Sequence, residues 1–410
     1  MKTLYGLILL AMSTNANALE HELKGIIDLR LTSVDGVDSY FNGGLGKFRF
    51  NNDERLSVAQ LGLTYQVDWD DFWSMKTVVN GYLDGVVDNV GITELFVNYK
   101  GLPFDSGYRI DGRVGLMYPD ITLENLATAW ASPYTLSYSN INSWLAEEVR
   151  HLGTKLSVTR LGKYHQSKHD FNLTSEFFVN NDTTGAMLAW HGWTIGSQQT
   201  LWQNTIKTPS TPALDSGGSL EGQAKRSDPF LELDNRIGTH FSAEWNWNGN
   251  GKVKAGYYDN NADTRIVKHG QYTWGTRFSH VGIKWRLPLR IELLSQMISG
   301  DTLMEAPTGE DAVNIKYSSF NVLLSRRWNT HRFSVRFEDF SVSDRDLTPE
   351  DNNNETGNSY TVSYRYQINK GWFIHTEFNF IDSNRPAHEY INAEQNLIER
   401  QWQLSSRYFF

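Results

Sequence analysis

The chain has 410 residues, no cysteine, and 38 Lys and Arg against 47 Asp and Glu, a formal net charge of −9. That balance sets nucleic acid aside as a partner, and the absence of thiols sets aside disulfide frameworks and thiolate metal sites. It is 13% aromatic yet polar on average, with a mean hydropathy of −0.48, a mixture that a soluble core does not need and a transmembrane barrel does: polar inside, apolar outside, aromatic at both interfaces.

Residues 1–18, MKTLYGLILLAMSTNANA, combine an early Lys2, a short apolar stretch from Leu4 to Met12 and small residues at Ala16 and Ala18. They read as a secretory signal peptide cleaved after Ala18, because a transmembrane helix needs ~20 apolar residues. The remainder, 19–410, reads as a single domain without a linker. Alternation with period two then sets in. Ile27, Leu29 and Leu31 share one face, with Asp28 and Arg30 on the other; Ala59, Leu61, Leu63, Tyr65 and Val67 repeat the pattern. Further strands are expected near 73–83, 92–100, 109–118, 149–160, 170–180, 186–195, 198–206, 236–247, 251–258, 272–285, 287–298, 316–327, 331–341, 359–368 and 371–381. The stretch 186–206 also reads as one hairpin or one long strand. The chain ends on QWQLSSRYFF, where Trp402, Leu404, Tyr408 and Phe410 share a face opposite Gln401, Gln403, Ser405 and Arg407.

Numbered from the first strand, the even connections are short, VDWDD, GLPFDSG, GKYHQSK, GSQ, NGNG, RLPL, WNTH and INKG, and the odd ones are long except GVVDNVG and NNDTTG. Sorting of loop length by parity is what an up-and-down barrel does, with both termini on the short-turn side, and not what a Greek-key sandwich does. The expectation is an all-β, antiparallel, closed transmembrane barrel of about 18 strands, with 16 as the alternative count. The last strand must pair with the first, because an open edge in lipid leaves backbone groups unsatisfied.

The ending, with Trp402, Leu404, Tyr408 and Phe410 on one face, resembles the C-terminal signature of Gram-negative outer-membrane β-barrels. The resemblance implies recognition by the barrel-assembly machinery, a place in outer-membrane lipid and lipopolysaccharide, and a porin-like barrel of 16 or 18 strands. Association as a homotrimer is implied by the same resemblance. No motif fixes the subfamily.

The connection 119–150 carries Asp120, Glu124, Trp130, Tyr134, Trp144, Glu147 and Glu148. A long aromatic loop is costly to leave in water. It resembles the porin constriction loop, which folds into the lumen; TLSYSNI within it also fits an extra hairpin. On the walls, alternation turns Arg30, Arg332, Arg336, Arg365 and Arg407 inward, since an arginine facing mid-membrane lipid costs ~2–4 kcal/mol; Arg113 and Arg290 are placed with them. A basic wall facing an acidic, aromatic loop across a narrow aqueous pore would select solutes. In the blander reading these arginines only pair with Asp28, Glu338 and Glu377.

Eleven histidines include His151, His165, His169, His191, His269 and His280. His165 and His169 are four apart but sit in a turn-like GKYHQSKHD, which argues against zinc ligation there. No GxSxG, HExxH or phosphate-loop pattern occurs. The expected function is passive diffusion of small hydrophilic solutes, with no catalytic residue, metal or cofactor. The alternatives are a barrel hydrolase of protease or phospholipase type, and a non-conducting structural barrel.

Overall fold

The computed structural model describes residues 19–410, so the signal-peptide reading of 1–18 lies outside the described residues. Sixteen strands form one closed antiparallel barrel. They are β1 (Glu20–Asp35), β2 (Glu54–Asp68), β3 (Trp73–Leu83), β4 (Asn89–Lys100), β5 (Tyr108–Met117), β6 (His151–Arg160), β7 (His169–Val179) and β8 (Gly238–Trp247). They continue with β9 (Gly251–Asp259), β10 (Gly275–Leu287), β11 (Ile291–Glu305), β12 (Asp311–Trp328), β13 (His331–Asp344), β14 (Glu355–Asn369), β15 (Trp372–Asn384) and β16 (Asn396–Phe409).

The count is the lower of the two expected. The segments 186–195 and 198–206 are not barrel strands: the first holds a short helix, the second reaches only a two-residue strand at Ile206–Lys207, and both lie inside the 180–237 connection. Ala-Met-Leu-Ala-Trp is apolar at both phases of a strand, and here it is buried on every side. Because two supposed strands drop out together, the parity of the loops survives. Short turns 69–72, 101–107, 161–168, 248–250, 288–290, 329–330 and 370–371 lie at one end. At the other end lie L1 (36–53), L2 (84–88), L3 (118–150), L4 (180–237), L5 (260–274), L6 (306–310), L7 (345–354) and L8 (385–395).

Closure runs through β1 and β16, from Ile26 opposite Phe409 to Asp35 opposite Arg400. Phe410 adds a pair of backbone bonds beyond the strand, Gly25 N to Phe410 O at 2.9 Å and Phe410 N to Gly25 O at 3.2 Å. Gly25 leaves room for the terminal ring, since a Cβ there would sit 2.1 Å from it. The strands alternate as a barrel in lipid must. On β13, Phe333, Val335 and Phe337 are exposed outward while Ser334, Arg336 and Glu338 are buried inward. Aromatic pairs ring the turn end, among them Trp73–Tyr99 at 5.0 Å, Trp247–Trp285 at 5.5 Å and Tyr408–Phe410 at 6.1 Å between centroids.

Candidate functional site: a lumen closed by its own loops

L3 turns inward and crosses the lumen. From Ala129 to Arg150 every residue but Pro133 is buried, including the helix α1 (Asn140–Glu148). Ser139 caps α1 by accepting from Asn142 N at 3.3 Å, the usual role of serine at that position. One side of L3 seats Ala129 and Ala131 against Ile26 and Val78. Gly62 permits this approach, since a Cβ there would lie 2.4 Å from the Ala129 methyl. The other side seats Leu123 and Tyr134 against Leu294 and Leu323.

Irregular backbone inside a barrel needs partners in place of water, and wall carboxylates supply them. Glu377 accepts from Leu136 N at 2.6 Å and Ser137 N at 2.8 Å; Glu338 accepts from Asn140 N at 2.8 Å. Arg336 then locks the loop to the wall. It donates to Glu338 at 2.8 Å, Glu124 at 2.7 Å and the Tyr138 carbonyl at 2.9 Å.

Above L3 the lumen holds an apolar core. Trp144 of α1 meets Phe278 at 5.3 Å, Tyr317 at 5.4 Å and Trp193 of L4 at 6.0 Å. Tyr40 and Phe48 of L1 join the same cluster, as does the helix α2 (Ala186–His191) of L4. Glu148 ties L3 to α2: it accepts from Trp144 Nε1 at 2.7 Å, Gly185 N at 3.2 Å and Met187 N at 3.0 Å. Glu355, at the loop end of β14, binds Lys47 of L1 and Trp193 N of L4, the latter at 2.9 Å. Arg385 of L8 lies 3.5 Å from it and donates to the α2 carbonyls of Ala189 and Trp190. Burial pushes Glu147 up to about 8 and Glu148 up to about 7. Burial would also raise Asp120, but Lys155 and Lys254 beside it hold it well below the carboxylate range.

The basic residues divide into two sets. Arg30, Arg336 and Arg407 are buried and neutralised: Asp28 lies 2.5 Å from Arg30 and 2.7 Å from Arg407. Arg407 also reaches the L3 carbonyls of Ser132 and Thr135. The expected field across an aqueous gap is corrected here, because wall and loop touch and Arg336 and Glu124 form a direct ion pair.

Below L3, the turn-side half of the lumen keeps a second set. Arg327 stands opposite Arg332, Arg332 opposite Arg365, and Arg365 opposite His375 across four strands. Arg332 bonds Glu292 at 3.1 Å and lies 5.2 Å from the ring of Tyr134, whose hydroxyl donates to Glu292 at 3.0 Å. Arg365 lies over Phe373 at 4.6 Å. Arg113, on β5, sits over Phe96 at 4.0 Å and donates to Asn98 at 2.9 Å. Arg290 is a correction: it is exposed in the 288–290 turn at φ +59, because the chain tightens there instead of continuing as a strand. Asp120 bridges Lys155 at 3.1 Å and Lys254 at 2.7 Å, and Trp130 stacks on Tyr118 at 5.0 Å. Trp402, Leu404, Tyr408 and Phe410 all face outward.

Sequence reading missed L1 and L4 as parts of the plug. Their lengths were visible, but not their direction. It also left unremarked that Ser363 Oγ stands 2.5 Å from His375 Nε2; both are buried in the wall, at 2% and 1% exposure.

No family model matches the chain, and no curated protein matches it. Solved structures do. The outer membrane channel DcaP of Acinetobacter baumannii superposes with a TM-score of 0.56 at 10% identity, over 97% of this chain and 99% of that one. The anion-selective porin from Comamonas acidovorans gives 0.52 at 12% identity, over 96% and 100%. OmpT, an outer membrane protein of Vibrio cholerae, in its trimer form gives 0.53 at 9% identity, over 96% and 100%. The chain therefore has the fold of the outer-membrane porins: a closed sixteen-stranded barrel. At these identities the likeness extends to fold alone.

Proposed function

We propose that the chain is an outer-membrane diffusion channel for small hydrophilic solutes, with a preference for anions, held closed in this conformation by L3 together with L1 and L4. The observation that carries the reading is the row Arg327, Arg332 and Arg365 on directly opposed positions of the turn-side lumen. Like charges directly opposite each other destabilise a sheet. Such a row is retained at a cost to folding, and an anion passing the vestibule is what it suits. Arg113 and the L3 residues Tyr134 and Asp120 complete the wall on this reading. Homotrimer formation, outer-membrane location and assembly through the C-terminal strand belong to the same proposal.

The test is ion selectivity in a planar bilayer under a salt gradient. The R332E/R365E variant should shift the reversal potential towards cations. The shift should shrink at 1 M salt, where the screening length falls to ~3 Å from ~10 Å at 0.1 M. An unchanged potential at low salt would remove the arginine row from any role in selectivity.

A second reading, the non-conducting structural barrel, draws on the apolar core that L1, L3 and L4 build inside the lumen. Measurable single-channel conductance rules it out. For the hydrolase alternative, Ser363 and His375 are the nearest nucleophile and base, but both are sealed in the wall.

A further inference from the structure

Four strands bring His151, Glu176, His240 and His280 to one patch of inner wall beneath the root of L3. Glu176 on β7 is directly opposed to His240 on β8. Its Oε2 lies 3.3 Å from His240 Nδ1 and 3.8 Å from Nε2 of His151, the first residue of β6, and all three side chains are fully buried. Yet among the described residues Glu176 Oε2, His240 Nδ1 and both ring nitrogens of His151 have no hydrogen-bond partner. Buried polar atoms are normally satisfied, and each orphan costs about 1–3 kcal/mol. Both imidazoles approach the same carboxylate oxygen, an arrangement that a shared cation would satisfy.

We infer that this patch is a binding site for a borderline divalent transition-metal ion, of which Zn2+ is the type, with Glu176, His240 and His151 as ligands. Nitrogen and oxygen ligands stand ~2.1 Å from zinc, so two of them at a tetrahedral angle are ~3.4 Å apart. The Glu176–His240 edge has that spacing already. An ion seated between the two atoms would replace that direct contact. His151 completes the set by swinging its ring off Phe178, since as it stands the three ligand atoms do not all lie within 4.8 Å of one another.

The surroundings supply the outer contacts such ligands need. His240 Nε2 lies 2.9 Å from His280 Nε2; donating its proton there leaves Nδ1 with a free lone pair. Glu176 Oε1 accepts from Asp120 N at 3.4 Å. Imidazole with one carboxylate suits zinc, nickel, copper or cobalt; magnesium and calcium prefer all-oxygen sets. The acidic group Asp182, Glu232 and Asp234 is a different case, because Asp182 and Glu232 are already taken by backbone amides of Leu233, Asn180 and Asn235. A bound ion would fasten β6, β7 and β8 to the root of L3, whether or not the barrel conducts.

The experiment is metal content of the tag-free barrel, folded in detergent, stripped with EDTA, loaded with ZnSO4 and desalted. Wild type should retain one equivalent of zinc. H240A and E176Q should lose it, and H280A should bind roughly 10–100-fold more weakly, while H165A, a turn histidine, loads as wild type. Wild type that retains no zinc, or ligand variants that retain it undiminished, would overturn the site. Should a ligand variant fail to fold, wild type decides alone. Its Co2+ derivative should show visible d–d absorption that added Zn2+ abolishes, and a derivative without that absorption would overturn the site as well.

Discussion

Arg336→Met removes the charge that joins L3 to the wall and keeps most of the side chain's length. Five of the seven hydrogen bonds made by Arg336 go to L3: to Glu124, Thr135, Ser137 O, Ser137 Oγ and Tyr138 O. The other two go to Glu338 and Thr361. Without the guanidinium, Glu124 and Glu338 stay buried without their partner. Breaking a buried ion pair from one side costs ~3–5 kcal/mol, or between about two and four powers of ten in the docking equilibrium of the loop. Folding of the barrel is read separately, as heat-modifiable migration. Chymotrypsin reads the loop, since Trp130, Tyr134, Tyr138 and Trp144 are all buried in L3 and cleavage follows the open population when reclosing is fast. Cleavage in L3 should rise by that factor in R336M, and R336M/E124Q should recover part of the protection by removing one stranded carboxylate. A folded R336M barrel with wild-type protection would refute the claim that Arg336 holds the plug.

Two further outcomes follow from the same contacts. Glu147 and Glu148 titrate at about 8 and about 7 in the plug against 4.5 when exposed, so the docked loop holds protons that the released loop gives up. Plug stability should fall as pH rises from about 4.5 to about 8, by up to ~1.4 kcal/mol per unit for each group, and level off above; chymotryptic protection of L3 across that range checks it, and E147Q/E148Q should flatten the profile. Deleting Phe410 removes both backbone bonds to Gly25 and the ring that covers it, so the amount of heat-modifiable barrel in the outer membrane should drop; an undiminished amount would detach the terminal residue from assembly.

What the sequence disclosed was set by period. Arg30, Arg332, Arg336, Arg365 and Arg407 could be turned inward from alternation alone, because their neighbours Leu29, Phe333, Val335, Phe337, Tyr364 and Tyr408 needed lipid. Alternation does not say which arginines stay free. Arg336 is cancelled by Glu124, 212 positions away, and only the fold of L3 brings the two together. Residues 186–195 misled because an apolar run at both phases fits a buried strand and a helix enclosed by loops equally well. Arg290 misled because Pro288 and a left-handed Leu289 end the strand before it. The histidine patch was hidden for a further reason: its members lie on four strands, and register alone aligns His240 with Glu176.

The central claim is that this barrel is a diffusion channel closed at mid-height by L3. Single-channel conductance of wild type and of a variant lacking 125–145 tests it most directly. Wild type should show small or rare openings and the deletion a larger, steady conductance, with faster entry of larger solutes into liposomes. A folded deletion variant that conducts no better than wild type would contradict it.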